Sequence, residues 1–333
     1  MRPSRAYRLT AEWLLAGDSP APPPRDCRWE AIIAVASHHY VTPGLAWQLR
    51  HAAWVPPAAA DYLDATLLLN RHRNAQLRAG LARLCERLSD AGLRPLLLKG
   101  AGLLASDLLP DPGYRLLGDL DILLEDAASL DAAATLLTAD GYVWGTSEHS
   151  HQLPAATHPE HGFTVELHHS PARAPFGEQL DKRELFARAE TVRIGETEAL
   201  IPCAADRLAI ALVHGQLQDG RHQRGIPSLR MIGDIALHLA APDGQAAFAE
   251  ACARLDRVAP RTSDAVVAIV DPYAGFPAQV THALDSPWRH WWLGAKGLAR
   301  ALPGFLTRAP QERRLALTGA RWRSRLARNF ARW

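Results

Sequence analysis

An aspartate pair, Asp119 and Asp121, stands at the leading edge of a short apolar run and constrains this chain more than any other feature. Side chains alternate faces along a strand, so the two carboxylates point the same way. Leu120, Ile122, Leu123 and Leu124 make that strand apolar, so its acids begin at a buried edge. Carboxylates held side by side repel each other and tolerate the proximity best with a cation between them. Magnesium suits such a place, because it takes one or two carboxylates together with phosphate oxygens and water.

The surrounding segment extends the pattern. Leu96-Leu97-Leu98 fits a buried strand, Lys99-Gly100 ends it, and Ala101 to Leu109 fits a short helix, followed by a loop with Pro110, Pro112 and Gly113. A glycine between a strand and a helix lets backbone N–H groups approach a phosphate. No G-x-x-x-x-G-K-[ST] occurs, so this is not a Walker loop. After Leu124 the spacing predicts a helix over Ser129 to Ala139, a turn at Asp140-Gly141 and a strand from Tyr142 to Trp144. The clearest later strand is Gly162 to His168, where Val165 and Leu167 alternate with Glu166 and His168. Glu166 is the best candidate for a third acid, which would complete a two-ion site. His168 shares its strand face and would border the site. Thr191 to Ile201 reads as a hairpin.

Helical spacing dominates on both sides. Trp29 to Leu49 is helical with a turn signal at Thr42-Pro43-Gly44. From Ala58 to Leu88, Leu63, Leu67, Leu77, Leu81, Leu84 and Leu88 recur at helical spacing, with a polar break at Asn70 to Arg73, as one long helix or two abutting ones. Ala204 to Gln218 and Leu229 to Ala240 are helical again. The fold class is therefore α+β: a small mixed β-sheet core over 91–202, between an N-terminal helical region at 1–90 and a C-terminal one at 203–333.

Composition narrows the context. Hydrophobic residues make up 48% of the chain and charged residues 22%, enough for a large core. The net charge of +2 selects no partner, and only three of the 37 cationic side chains are lysines, Lys99, Lys182 and Lys296, so arginine richness reflects coding bias. Cys27, Cys85, Cys203 and Cys252 are scattered, without C-x-x-C spacing, and read as free thiols of a cytoplasmic protein. Glu12 and Asp18 spoil the N-terminal apolar run as a signal peptide, and no uninterrupted run of about 18 apolar residues suggests a spanning helix.

The run Leu98-Lys99-Gly100-Ala101, the loop ending in Tyr114-Arg115, and Gly118-Asp119-Leu120-Asp121-Ile122-Leu123 resemble the signature of the uncharacterised nucleotidyltransferase family of the DNA polymerase beta-like superfamily. The likeness spans roughly 29–240: the lead-in Trp29 to Leu49 with His38-His39, then His214 and the stretch Leu229 to Ile235. It implies that Asp119, Asp121 and Glu166 hold divalent ions, Mg2+ or Mn2+, and carry catalysis. It implies that Lys99, Gly100, Ala101, Arg115 and Gly118 line a nucleoside triphosphate, ATP being the expected one. The superfamily usually has Gly-Ser or Gly-Gly and a shorter interval to the first acid; here Gly100-Ala101 lacks the serine. Lys99 and Arg115 would supply phosphate contacts instead. Otherwise Lys99 is a solvated strand end and Arg115 a loop-steadying ion pair to Asp119 or Asp121. The implied reaction transfers a nucleoside monophosphate to an unidentified acceptor, a small molecule, a peptide or protein, or an RNA end, and releases pyrophosphate.

Two rival readings stand beside this one: a non-catalytic relative that binds a nucleotide or partner, and a zinc hydrolase built on histidine. Six histidines, His149, His151, His158, His161, His168 and His169, motivate the latter, although their spacing favours a polar loop. His214 reads as a core or interdomain histidine, and Asp234 as a helical partner of Arg230 or a group reaching the cleft. The segment Gln311 to Trp333 carries seven arginines against one glutamate and suits an acidic partner, and Trp288, Trp291 and Trp292 read as core or interface.

Overall fold

The computed structural model of the protein describes residues 3–17, 19–147, 149–160, 162–219 and 228–258. The arginine-rich segment Gln311 to Trp333, the tryptophans 288, 291 and 292, Lys296 and His161 lie outside the described residues.

Helices α1 (Pro3–Leu15), α2 (Trp29–His38), α3 (Thr42–Leu49) and α4 (Pro57–Asp90) precede the first strand. The break expected at Thr42-Pro43-Gly44 falls earlier. Thr42 already opens α3, with Pro43 in its first turn, where a missing N–H costs nothing. The chain turns at Tyr40 instead, whose φ is 59°. Trp13 stacks on Trp29 with centroids 5.6 Å apart, inside a core shared by α1, α2, α3 and the start of α4.

Helix α4 runs unbroken through Asn70 to Arg73. Those polar side chains do not interrupt it, because they serve a neighbouring loop. Asn70 Nδ2 donates to the carbonyls of Gly113 (2.6 Å) and Arg115 (3.0 Å), and Asn74 Nδ2 to those of Pro112 (2.7 Å) and Arg115 (2.8 Å). Arg71 grips Asp111 through Nε (2.9 Å) and Nη2 (2.6 Å). Gly92, with φ of 73°, closes the helix end.

The sheet then forms from β1 (Leu96–Leu97), β2 (Asp119–Leu123), β3 (Val143–Trp144), β4 (Ala156–Thr157), β5 (Thr164–His168), β6 (Glu190–Ile194) and β7 (Thr197–Ile201). Its order is β3-β4-β5-β2-β1-β7-β6. β2 pairs antiparallel with β1 and parallel with β5, so the sheet is mixed. Helix α5 (Lys99–Ala105) starts two residues before the expected Ala101 and ends short of Leu109. Helix α6 (Ala127–Ala139) is capped by Asp126, whose side chain accepts from the Ser129 N–H at 2.7 Å.

Period-two alternation sorts the strands into two covered faces. Leu97, Leu120, Ile122, Val165 and Leu167 pack on α4 and α6, against Leu81, Leu88, Ala133 and Leu137. Leu96, Leu98 and Leu123 face the other way, onto the C-terminal helices: α9 (Ala204–Leu212), α10 (Leu229–Leu239) and α11 (Gly244–Val258). Two short helices, α7 (Phe176–Gln179) and α8 (Lys182–Ala187), connect β5 to β6. The architecture is α+β, a seven-stranded mixed sheet between helices. No helix among the described residues is long and apolar enough to cross a membrane.

Candidate functional site

The register of β2 and β5 builds the site. Asp121 stands opposite Glu166, and Asp119 opposite Thr164, on parallel neighbouring strands. Asp119, Asp121, Glu166 and His168 therefore share the face that looks towards the C-terminal helices. The apolar residues between them are committed to the opposite core, which fixes this direction: a slip of one residue would bury the acids among leucines.

Lys99 reaches the same point from the end of β1. Its backbone is left-handed, with φ of 46°, and its Nζ donates to Asp121 Oδ1 at 2.7 Å. His168 Nε2 lies 2.9 Å from that same oxygen and 3.7 Å from Glu166 Oε2. Lys99 is thus not a solvated strand end but the cation seated on Asp121.

The charges are not evenly balanced. Burial opposes the Asp121 charge, but Lys99 and His168 outweigh it and hold this carboxyl far below the usual range. Asp119 is raised by burial and by Asp121, against the pull of Lys99, Arg230 and Arg115. Glu166 is raised by burial, Asp121 and Asp119, with Lys99 and a hydrogen bond from Gln152 opposing. Burial would depress the Lys99 ammonium, yet the three carboxylates hold it above its ordinary value. One lysine neutralises Asp121 and leaves two carboxylates under mutual repulsion, the condition a bound cation relieves. Asp121, Glu166 and His168 each offer a ligand atom within 4.8 Å of the others. The donor set fits a divalent ion.

The remaining sequence candidates divide. Ala101 is buried in the core beneath the sheet. Gly100 is demanded by packing, since a Cβ there would come within 2.6 Å of the Leu117 side chain, and Gly102 would meet the Leu97 carbonyl oxygen at 2.7 Å. Gly118 is half-buried directly before Asp119. Arg115 does not pair with Asp119 or Asp121: its Nε and Nη2 take both oxygens of Asp234, at 2.6 and 3.0 Å. That also corrects the partner of Asp234, since the fork of Arg115 meets a carboxylate more fully than a neighbour one helical turn away. Arg230, on α10, remains within electrostatic reach of Asp119 and Asp121.

Sequence reasoning missed Arg73 and Gln152 and read His151 as part of a polar loop and His214 as a core or interdomain histidine. Arg73 donates to the Leu117 carbonyl, and its charge is coupled to Asp119. Gln152 pairs with His168 through a β-bridge and bonds Glu166. His151 is buried with its ring 5.4 Å from that of His168 and is pushed down to about 4 by burial and the nearby charges. His214 sits in a π-helical turn, Val213–Gln218, and is pushed down to about 3 by burial and Lys99. No local spacing rule could have found Arg73 or Gln152, and the π-helical turn, a frequent mark of functional sites, is seen only in the structure.

A family model described as uncharacterised nucleotidyltransferase matches residues 25–259. Among solved structures, an antigenic nucleotidyltransferase-like protein from Paracoccidioides brasiliensis is 18% identical, with a TM-score of 0.34, over 62% of this chain and 97% of that one. No curated protein matches the chain.

Proposed function

The chain belongs to the uncharacterised nucleotidyltransferase family, and from that premise we propose that it transfers a nucleoside monophosphate from a nucleoside triphosphate to an acceptor hydroxyl or phosphate. The observation that carries the reading is the register that sets Asp121 against Glu166 with Asp119 on the same face. The glycine after the first strand, the acid-x-acid pair on the next and the third acid on a later strand follow the DNA polymerase beta-like pattern, and we assign the chain to that superfamily. Residues 91–202 are then the catalytic core between the helical regions 1–90 and 203–333.

Asp119, Asp121 and Glu166 would hold Mg2+ or Mn2+, with His168 joining Asp121 and Glu166 in the compact donor set and Asp119 beside it on the same strand face. The ion supplies charge stabilisation for an in-line displacement at phosphorus. The acceptor oxygen attacks the α-phosphorus, the bond to the β-phosphate oxygen breaks, and pyrophosphate leaves. Glu166 would bind the ion that activates the acceptor, or take the acceptor's proton as its base. Lys99 stays beside Asp121 and offers its charge to the phosphates. ATP is the expected donor, and the acceptor is a small molecule, a peptide or protein, or an RNA end.

A second reading, a non-catalytic nucleotide binder, draws on Lys99, whose ammonium takes the Asp121 oxygen an ion would use. Transfer of label from α-labelled triphosphates, with Mg2+-dependent pyrophosphate release lost in Asp119→Ala, supports the first reading. Triphosphate binding without turnover across small-molecule, protein and RNA acceptors supports the second.

A further inference from the structure

Arg115 and Arg230 approach one carboxylate from different elements, and only one of them is satisfied. Arg115 takes both oxygens of Asp234 and gives its Nη1 to the Leu116 carbonyl at 2.9 Å. Arg230 lies in the first turn of α10, four residues before Asp234. Among the described residues it has no hydrogen-bond or ion-pair partner, and its Nε is sealed from solvent. The residue as a whole is half-buried, but a guanidinium nitrogen buried without an acceptor calls for an explanation, and an anionic ligand reached by its half-exposed end is one.

The surroundings say which sign and place that ligand has. Burial and the like charge of Arg115 push the Arg230 guanidinium down to about 10, while Asp234, Asp119 and Asp121 pull the other way. Arg230 in turn eases the Asp119 carboxylate. The unpaired guanidinium is therefore coupled to the acids of β2 and short of an anion. A phosphate chain supplies that anion, and a guanidinium fork matches its oxygens in pairs.

We propose that Arg230 is the arginine that holds the β- and γ-phosphates of the nucleotide whose α-phosphate lies at Asp119 and Asp121. This rests on the nucleotidyltransferase reading and moves the phosphate-gripping role from Arg115 to Arg230. The Arg115–Asp234 pair becomes a positioning device: by occupying Asp234 it keeps the nearest carboxylate off Arg230.

Thermal unfolding of the full chain tests this, alone and with Mg2+ plus ATP or inorganic tripolyphosphate, in wild type, Arg230→Met, Arg230→Lys and Arg115→Met. A ligand that binds the native state raises its melting temperature. Ligand-free Arg230→Met should melt no lower than wild type, because it removes an unpaired charge, yet lose the rise given by either phosphate compound. Arg230→Lys should keep part of that rise. Arg115→Met should melt lower even without ligand, because it orphans Asp234. If Arg230→Met melts well below wild type and keeps its ligand-induced rise, Arg230 is a structural residue and the proposal fails while the nucleotide reading stands. If wild type shows no rise with either compound, both fail together.

Discussion

Among the described residues, two of the buried acidic centres are built in opposite ways. Around Asp206, at the start of α9, every charge has an ion-pair partner, although Asp206 Oδ1 and Arg254 Nε lack a hydrogen bond. Arg254 Nη1 lies 3.0 Å from one oxygen, Arg188 Nε 3.4 Å from the other, and the Cys203 thiol donates to that second oxygen at 3.1 Å. Arg188 also meets Glu250 at 2.7 Å. On the face of β2 and β5, one lysine serves three carboxylates, and the arginine nearest to spare has no partner. A satisfied network ties α8, α9 and α11 together. A network in surplus does no such work for the fold, and under the proposed function it serves a bound cation and phosphate. Perturbed groups gather where function lies, but here the imbalance separates site from scaffold better than burial does.

The largest expected effect falls on the satisfied centre. Asp206→Ala leaves two arginines facing an apolar hole and should cost about 3–5 kcal/mol of unfolding free energy in urea titration. A loss under 1 kcal/mol would erase the contrast. The surplus centre should respond the other way. Asp119→Asn should slow pyrophosphate release at least about a hundredfold, with a midpoint of unfolding equal to wild type or higher, since it removes repulsion from Asp121. A slow and equally destabilised variant would put Asp119 in the scaffold.

A smaller loss tests how the acid strand is aimed. Asn74→Ala removes two donors from carbonyls of the loop that leads into β2 and should cost about 1–3 kcal/mol, seen in the same titration. The smallest effect is a pH dependence. The Asp119 carboxyl is raised in the folded protein, so the native state holds that proton more tightly than the unfolded chain, where the value is 3.8. Its contribution to stability is therefore lost as pH rises from the unfolded value through the raised folded one. The melting temperature of wild type relative to Asp119→Asn should fall across that window. Asp121, held low, contributes in the opposite sense, present above the unfolded value and lost as pH falls, and it is common to both proteins.

One side of this contrast, the acid face, was legible in the sequence. Alternation alone aimed Asp119, Asp121, Glu166 and His168 to one face, because Leu120, Ile122, Val165 and Leu167 had no other place than the opposite core. The strand order could not be read, since pairing β2 with β5 depends on contacts made across some forty residues. Polarity misled at Asn70 to Arg73, where amides that look like a helix break satisfy loop carbonyls from an unbroken helix. The partner of Arg115 lies 119 positions away on α10, beyond the reach of any local spacing rule. The Asp206 network went unseen for the same reason: Arg254, Arg188 and Asp206 belong to three different helices or their caps.

The most direct measurement is Mn2+ binding by electron paramagnetic resonance in wild type, Asp119→Asn, Glu166→Gln and, as a control, Glu250→Gln from the satisfied network. Surplus carboxylates that form a cation site predict saturable binding in wild type and Glu250→Gln, and affinity at least about tenfold weaker in each of the other two. Equal affinity in all four proteins, or no saturable binding in any, would contradict it.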